Sequence, residues 1–162
     1  MVDGIILNET YKIIKEIGSG SFGKVYMVEN IKSKEKFAVK RINRKDIDEN
    51  EYLVQAFWKE LEVMKKCECE NSVRLVEYFQ CGSYYNIVME LCDSDLEIVL
   101  NKRSKAFTED EVKIILKQLN KVFAIMEKEN IIHRDLKLRN IMVIYDKSPN
   151  QNLDFVSKLS DF

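Results

Sequence analysis

Ile131-Ile132-His133-Arg134-Asp135-Leu136-Lys137-Leu138-Arg139-Asn140 decides how this 162-residue chain is read. From His133 to Asn140 it holds four charged side chains and the only histidine. An ordinary connecting loop would carry Gly, Ser or Pro at such a place. The stretch before it reads as a helix. Thr108-Glu109-Asp110-Glu111 is a capping box, and Val112, Ile115, Leu116, Leu119, Phe123 and Met126 follow at helical spacing. Asn130 is a plausible left-handed terminator. Beyond it, Ile141 to Tyr145 and Val156 to Leu159 read as short strands around a polar loop, Asp146 to Asp154, which holds Pro149. The charged stretch therefore sits between a helix end and a strand, where a rigid scaffold presents reactive side chains.

Working back toward the N-terminus, Gly18, Gly20 and Gly23 satisfy G-x-G-x-x-G. With Lys24 the same residues also spell G-x-x-x-x-G-K. A nucleotide-binding loop of the Walker kind needs Ser or Thr after the lysine, and this chain has Val25. Both that loop and the dinucleotide fingerprint require a helix to begin there. Val25-Tyr26-Met27-Val28 instead reads as a strand, as does Tyr11 to Ile17 before the glycines. The result is strand, loop, strand, with backbone amides free to close over phosphates because no Cβ blocks the approach. Taken alone, the loop would be read first as an ordinary flexible hairpin.

Phe37-Ala38-Val39-Lys40-Arg41-Ile42 reads as the next strand, and an unpaired lysine within it would be costly to bury. A helix from Asp48 is expected next, with Asp48 and Glu51 as its capping pair and Leu53, Phe57, Leu61 and Met64 as its apolar stripe. Glu60 lies beside the inward face of that helix and is the natural partner for Lys40. Such a pair would aim an ammonium at phosphates beneath the glycine loop. Val73 to Phe79 and Tyr84 to Leu91 complete the strands, turning at Cys81-Gly82-Ser83.

At these residues, taken in order, the chain resembles the protein kinase family: the three glycines with Val25, then Ala38-Val39-Lys40, a helix glutamate, His133-Arg134-Asp135 with Asn140, and Asp161-Phe162. The resemblance runs from about Tyr11 onward. It implies an α+β, bilobal fold with a five-stranded antiparallel N-lobe sheet, one main helix and the start of a helical C-lobe. The N-lobe would span about 11–91, and 92–162 would hold the hinge and the beginning of the C-lobe. It implies ATP and Mg2+ as nucleotide and metal, with protein Ser/Thr hydroxyls as substrate.

By resemblance, Asp135 is the catalytic base and Lys137 stabilises the migrating phosphoryl. Lysine at that position is the serine/threonine pattern. Asn140 and Asp161 would hold magnesium through hard oxygens. Gly18, Ser19, Gly20, Ser21, Phe22, Gly23 and Lys24 would cover the phosphates, Lys40 would hold them, and Glu60 would orient Lys40. Ile17, Val25, Ala38 and Met142 would sandwich the adenine. Met89 would be the gatekeeper, Glu90 to Cys92 the hinge, and Asp95 a ribose ligand. His133 would be structural, packed beneath Phe162. Leu138 stands where the family commonly has proline, and it carries no reacting group. The sequence stops at Phe162, before the glycine expected next. The isolated residues are therefore expected to show little transferase activity, and a nucleotide-binding regulatory fragment or an inactive scaffold is the alternative.

Bulk composition agrees with a folded domain: 46% hydrophobic, 10% aromatic, and 26 basic against 27 acidic residues for a net charge of −1. That balance implies neither a nucleic-acid nor a membrane partner. Cys67, Cys69, Cys81 and Cys92 lack zinc-ligand spacing and read as reduced thiols. With no signal peptide visible, a cytoplasmic location is the default expectation. Nothing in the residues points to regulatory partners.

Overall fold

The computed structural model describes residues 4–20, 23–145 and 153–162. Two compact units emerge: one from residues up to Lys59 together with Leu75–Leu91, the other from Glu60–Arg74 with Cys92–Phe162. The stretch 60–74 thus groups with the second unit rather than with its flanking strands.

Unit one is an antiparallel sheet of β1 (Ile6–Leu7), β2 (Tyr11–Gly20), β3 (Gly23–Asn30), β4 (Lys36–Asn43), β5 (Leu75–Cys81) and β6 (Tyr84–Glu90), in the order β1-β2-β3-β4-β6-β5. Six strands stand where five were expected. The extra one is β1, which turns through Asn8 and Glu9 at φ 48° and 53° and pairs Leu7 with Tyr11. A two-residue strand is too short to show a period, yet Leu7 is fully enclosed.

Register separates the two faces of this sheet. Directly opposed residues of antiparallel strands share a face, and the face alternates along each strand. Tyr26 opposes Val39, and Val39 opposes Val88; with Leu7, Tyr11, Ile13 and Val28 they form a buried apolar cluster on one face. The other face carries Val25 opposite Lys40, Met27 opposite Ala38, and Ala38 opposite Met89.

Helix α1 (Arg44–Asp48) is capped by Asn43, whose side chain accepts from the Lys45 amide. It was not expected, and it changes the role of Asp48. That carboxylate closes α1 by accepting from Arg44 at 3.2 Å and from the Tyr85 hydroxyl at 2.8 Å. Helix α2 (Glu51–Lys66) follows, with Asn50 accepting from the Tyr52 amide at its start. Of the expected stripe, Phe57, Leu61 and Met64 are buried and Leu53 is half-buried. Phe57 stacks on Tyr85 with ring centroids 4.8 Å apart. Tyr85 opposes Ile42, so the first half of α2 lies on the Lys40 face of the sheet.

Unit two comprises β7 (Ser94–Asp95), α3 (Leu96–Lys102), α4 (Glu109–Lys128), β8 (Ile141–Tyr145) and β9 (Phe155–Leu159), with a small sheet in the order β7-β8-β9. The capping box is present: Thr108 Oγ1 accepts from the Glu111 amide, and the Glu111 carboxylate accepts from the Thr108 amide. The buried face of α4 is Ile115, Leu119, Val122 and Met126, packed with Leu96, Val143, Phe155 and Leu159. Val112 and Leu116, expected on that face, are 40% and 55% exposed, because the stripe is rotated toward Val122. Asn130 ends the helix at φ 54°, as its residue type suggested. The four cysteines are free thiols, and burial raises the pKa of Cys67. Among the described residues no helix is long and apolar enough to cross a membrane.

Candidate active site

The charged loop between α4 and β8 is built by backbone bonds before its side chains act. The Ile131 amide donates to the Met126 carbonyl at 2.8 Å, and Arg134 turns the chain at φ 67°. A 3-10 turn over Leu138–Asn140 then brings the Asn140 amide back to the Lys137 carbonyl at 3.0 Å. That turn carries the Asn140 side chain onto Asp135. Its Nδ2 donates to the Asp135 carbonyl at 2.9 Å and to Oδ2 at 3.0 Å. Lys137 Nζ donates to the same Oδ2 at 2.6 Å. Neither bond engages Oδ1, and the Asp135 side chain is 61% exposed, so this oxygen can face an incoming hydroxyl.

These donors set the electrostatics. The hydrogen bond from Lys137, followed by that from Asn140, holds the Asp135 carboxyl below its ordinary range. The group is therefore an anion at neutral pH and fit to accept a proton. Replacing Lys137 by Met removes a charge and a bond that favour the anion. The pKa of Asp135 must then rise, and the acid limb of the rate profile is expected to move to higher pH. A kcat–pH series on both proteins measures this, and an unmoved limb would contradict the pairing.

His133 does a different job. Its Nδ1 accepts from the Asp135 amide at 3.3 Å, which leaves Nε2 to donate to the Ser160 carbonyl at 2.8 Å. Both nitrogens are engaged, the residue is buried, and its ring centroid lies 5.7 Å from that of Phe162. Its place is structural, packed against Phe162. Ser160 completes the stitch, donating through its amide and its hydroxyl to the Asn140 carbonyl at 2.9 and 3.1 Å. No sequence signal marks Ser160, because its contribution begins with a carbonyl that every residue has. Asp161 follows in the left-handed region at φ 55°, a conformation aspartate tolerates better than most residues.

For a magnesium ion the donor set fits. With Nδ2 of Asn140 committed to Asp135, the atom left to meet a cation is Oδ1, a hard oxygen, and Asp161 adds a carboxylate. Among the described residues no group of three or more His, Cys, Asp or Glu side chains could hold a metal by itself. Magnesium is commonly held by one or two protein oxygens together with substrate phosphates, so a pair is the expected set.

Unit one brings other residues together. Val25, Ala38, Lys40 and Met89 share one face of the sheet, with Ala38 buried and Lys40 half-buried. Gly18 opposes Val25, Ser19 opposes Lys24 and Gly20 opposes Gly23, so the glycines form the tip of the β2–β3 hairpin. A Cβ on Gly23 would lie 2.1 Å from the Arg41 carbonyl oxygen, which excludes any side chain there. Ser21 and Phe22 lie outside the described residues. Ile17 is 42% exposed beside the glycines. The Lys24 ammonium is engaged by Glu16 at 2.9 Å.

Glu90 ends β6 opposite Phe37, and Cys92 follows half-buried. Glu60 is half-buried on α2, one turn beyond Phe57. Asp95 has structural work, accepting from the Ile98 amide at 2.9 Å as the N-cap of α3. Met142 pairs with Asp95 on one side and Lys158 on the other. The sequence reading missed an ion pair beside the loop, between Arg139 and Glu97.

A family model described as "Protein kinase domain" matches residues 11–162. The chain belongs to the protein kinase family. This kinase sequence is 31% identical to mouse serine/threonine-protein kinase 33 over 166 residues, covering 100% of the chain and 33% of that relative. It is 32% identical to calcium-dependent protein kinase 4 of Plasmodium berghei over 161 residues, covering 98% and 29%. It is 30% identical to zebrafish serine/threonine-protein kinase 10 over 157 residues, covering 96% and 15%. The chain thus spans about a third or less of the length of these relatives.

Proposed function

We propose that this protein transfers the γ-phosphate of ATP to serine and threonine hydroxyls of protein substrates. The observation that carries the proposal is the Asp135 carboxylate, exposed and held on one oxygen by Lys137 and Asn140. Asp135 Oδ1 orients the acceptor hydroxyl and takes its proton as the new O–P bond forms and the bond from the γ-phosphorus to the departing ADP breaks. Lys137, two residues away, keeps its ammonium at the site of charge transfer, and lysine at this position supports the serine/threonine assignment. Magnesium held by Asn140 Oδ1 and Asp161 would neutralise phosphate charge.

In this reading residues 11–91 are the nucleotide-binding lobe, and 92–162 are the hinge and the beginning of the catalytic lobe. Val25, Ala38, Met142 and Ile17 flank adenine, and backbone groups of Glu90 to Cys92 bind its edge behind Met89. The glycine hairpin, from Gly18 through Ser19, Gly20, Ser21, Phe22, Gly23 and Lys24, covers the phosphates. Lys40, oriented by Glu60, engages them, and Asp95 borders the ribose. Phosphoryl transfer asks little covalent work of a protein beyond positioning and charge compensation, and this inventory supplies those two functions.

Thermal unfolding with nucleotide tests the site. ATP with magnesium at about a hundred times its Kd is expected to stabilise by about 2.7 kcal/mol. For a chain of this size that raises Tm by about 5–10 °C. Chelation of the magnesium is expected to remove most of the gain. A Tm indifferent to ATP under both conditions would contradict the proposal.

A further inference from the structure

The charged loop carries three basic side chains, Arg134, Lys137 and Arg139, against one acidic, Asp135. Lys137 is engaged by Asp135, whereas Arg139 pairs with an acid outside the loop. The 3-10 turn of Leu138–Asn140 packs against α3, and Arg139 Nε donates to Glu97 Oε2 in the first turn of that helix. The guanidinium is open all the same. Its side chain is 69% exposed, and among the described residues only Nε of its nitrogens is hydrogen-bonded.

The acids around α3 are in the opposite condition. Asp93 Oδ2 accepts from the Tyr145 amide and Asp95 Oδ1 from the Ile98 amide, each at 2.9 Å, while Glu97 accepts from Arg139. Glu97 first, and Asp95 through its charge without a bond, raise the Arg139 pKa above its ordinary value. Without Arg139, Glu97 and Asp95 would present two carboxylates beside the loop, a setting that attracts a basic side chain. Arg139 takes that place itself. An exposed ion pair adds little to the stability of a fold, so the larger consequence is for what approaches Asp135.

A peptide substrate comes within reach. Asn140 Nδ2 holds the Asp135 carbonyl and Oδ2 at 2.9 and 3.0 Å, so Arg139 is attached one residue from a group that touches the base. An extended peptide advances about 3.3–3.6 Å per residue. Side chains two or three residues from a hydroxyl at Asp135 Oδ1 therefore lie within the span of a guanidinium on its long stem.

We propose that Arg139 selects substrates by charge. It occupies Glu97 against basic residues that flank the acceptor, and it offers its remaining nitrogens to a carboxylate there. The inference rests on the proposed function and adds a specificity residue to it.

The test compares three serine peptides alike except at the residues two and three places to either side of the acceptor, which are Glu, Gln or Arg. Each is phosphorylated by a chain that carries these residues within a complete kinase domain, as it stands and as Arg139→Glu. The unmodified protein is expected to show kcat/KM in the order Glu, Gln, Arg, with Glu over Arg by at least about fivefold, the scale of one or two exposed charge pairs. Arg139→Glu is expected to reverse that order while the Gln peptide keeps its rate. Added salt is expected to narrow the spread in both proteins. Equal rates on the Glu and Arg peptides, or preference for Arg, in the unmodified protein would overturn the inference. So would an Arg139→Glu variant that lowers all three peptides alike, the behaviour of a residue with a structural role only. In each of those cases transfer to the Gln peptide leaves the kinase reading standing. Transfer to none of the three would overturn that reading, and this inference with it.

Discussion

Asp135→Asn is expected to lower kcat by about 10²–10⁴-fold while leaving nucleotide affinity within about twofold. The substitution is nearly isosteric, and an amide oxygen can still accept from Lys137 and Asn140 in place of Oδ2. The loop should keep its shape, and what is lost is the capacity to take a proton from the acceptor hydroxyl. Rates at saturating ATP measure the first effect, and equilibrium binding of an ATP analogue measures the second. A variant with undiminished kcat would remove Asp135 from the chemistry.

Lys40→Met follows, with an expected loss of about 10²–10³-fold in kcat, the range for removing one preorganised charge at a reacting group. The site tolerates the replacement structurally. Lys40 is half-buried in β4 between Val25 on one neighbouring strand and Ile87 on the other, and an unbranched methionine keeps the length of its apolar stem. Tm is therefore expected to stay within a few degrees of the unmodified protein. Unchanged turnover would contradict the role given to this lysine, and a collapsed Tm would show that the effect is on folding.

The loop and the glycines stood out in the residues because such types are poor structural choices at those places. A loop that spells His-Arg-Asp-Leu-Lys-Leu-Arg-Asn has no packing reason to exist, and three glycines around a strand turn leave the backbone open to close approach. At Gly23 that approach is to the Arg41 carbonyl oxygen. The capping box at Thr108 and the left-handed Asn130 were legible because each depends on local geometry alone.

What escaped depends on tertiary context. Strand β1 is two residues long, below any period, and is held by the enclosure of Leu7. The apolar stripe on α4 allows two rotations, and packing against Phe155 and Leu159 selects the one that includes Val122 over Val112 and Leu116. Asp48 looked like the start of a helix and proved to close one, because Arg44 and Tyr85 each donate to one oxygen of its carboxylate. The support that Ser160 gives to His133 and Asn140 begins at a backbone carbonyl, so no side-chain pattern could reveal it.

The most direct measurement is incubation of a chain that carries these residues within a complete kinase domain with magnesium and γ-labelled ATP in the presence of a mixed protein substrate, followed by phosphoamino-acid analysis, with Asp135→Asn run in parallel. Label on serine and threonine that falls by at least about a hundredfold in the variant is the expected result. Bound ATP with no label transferred, or equal transfer by both proteins, would contradict phosphoryl transfer at Asp135.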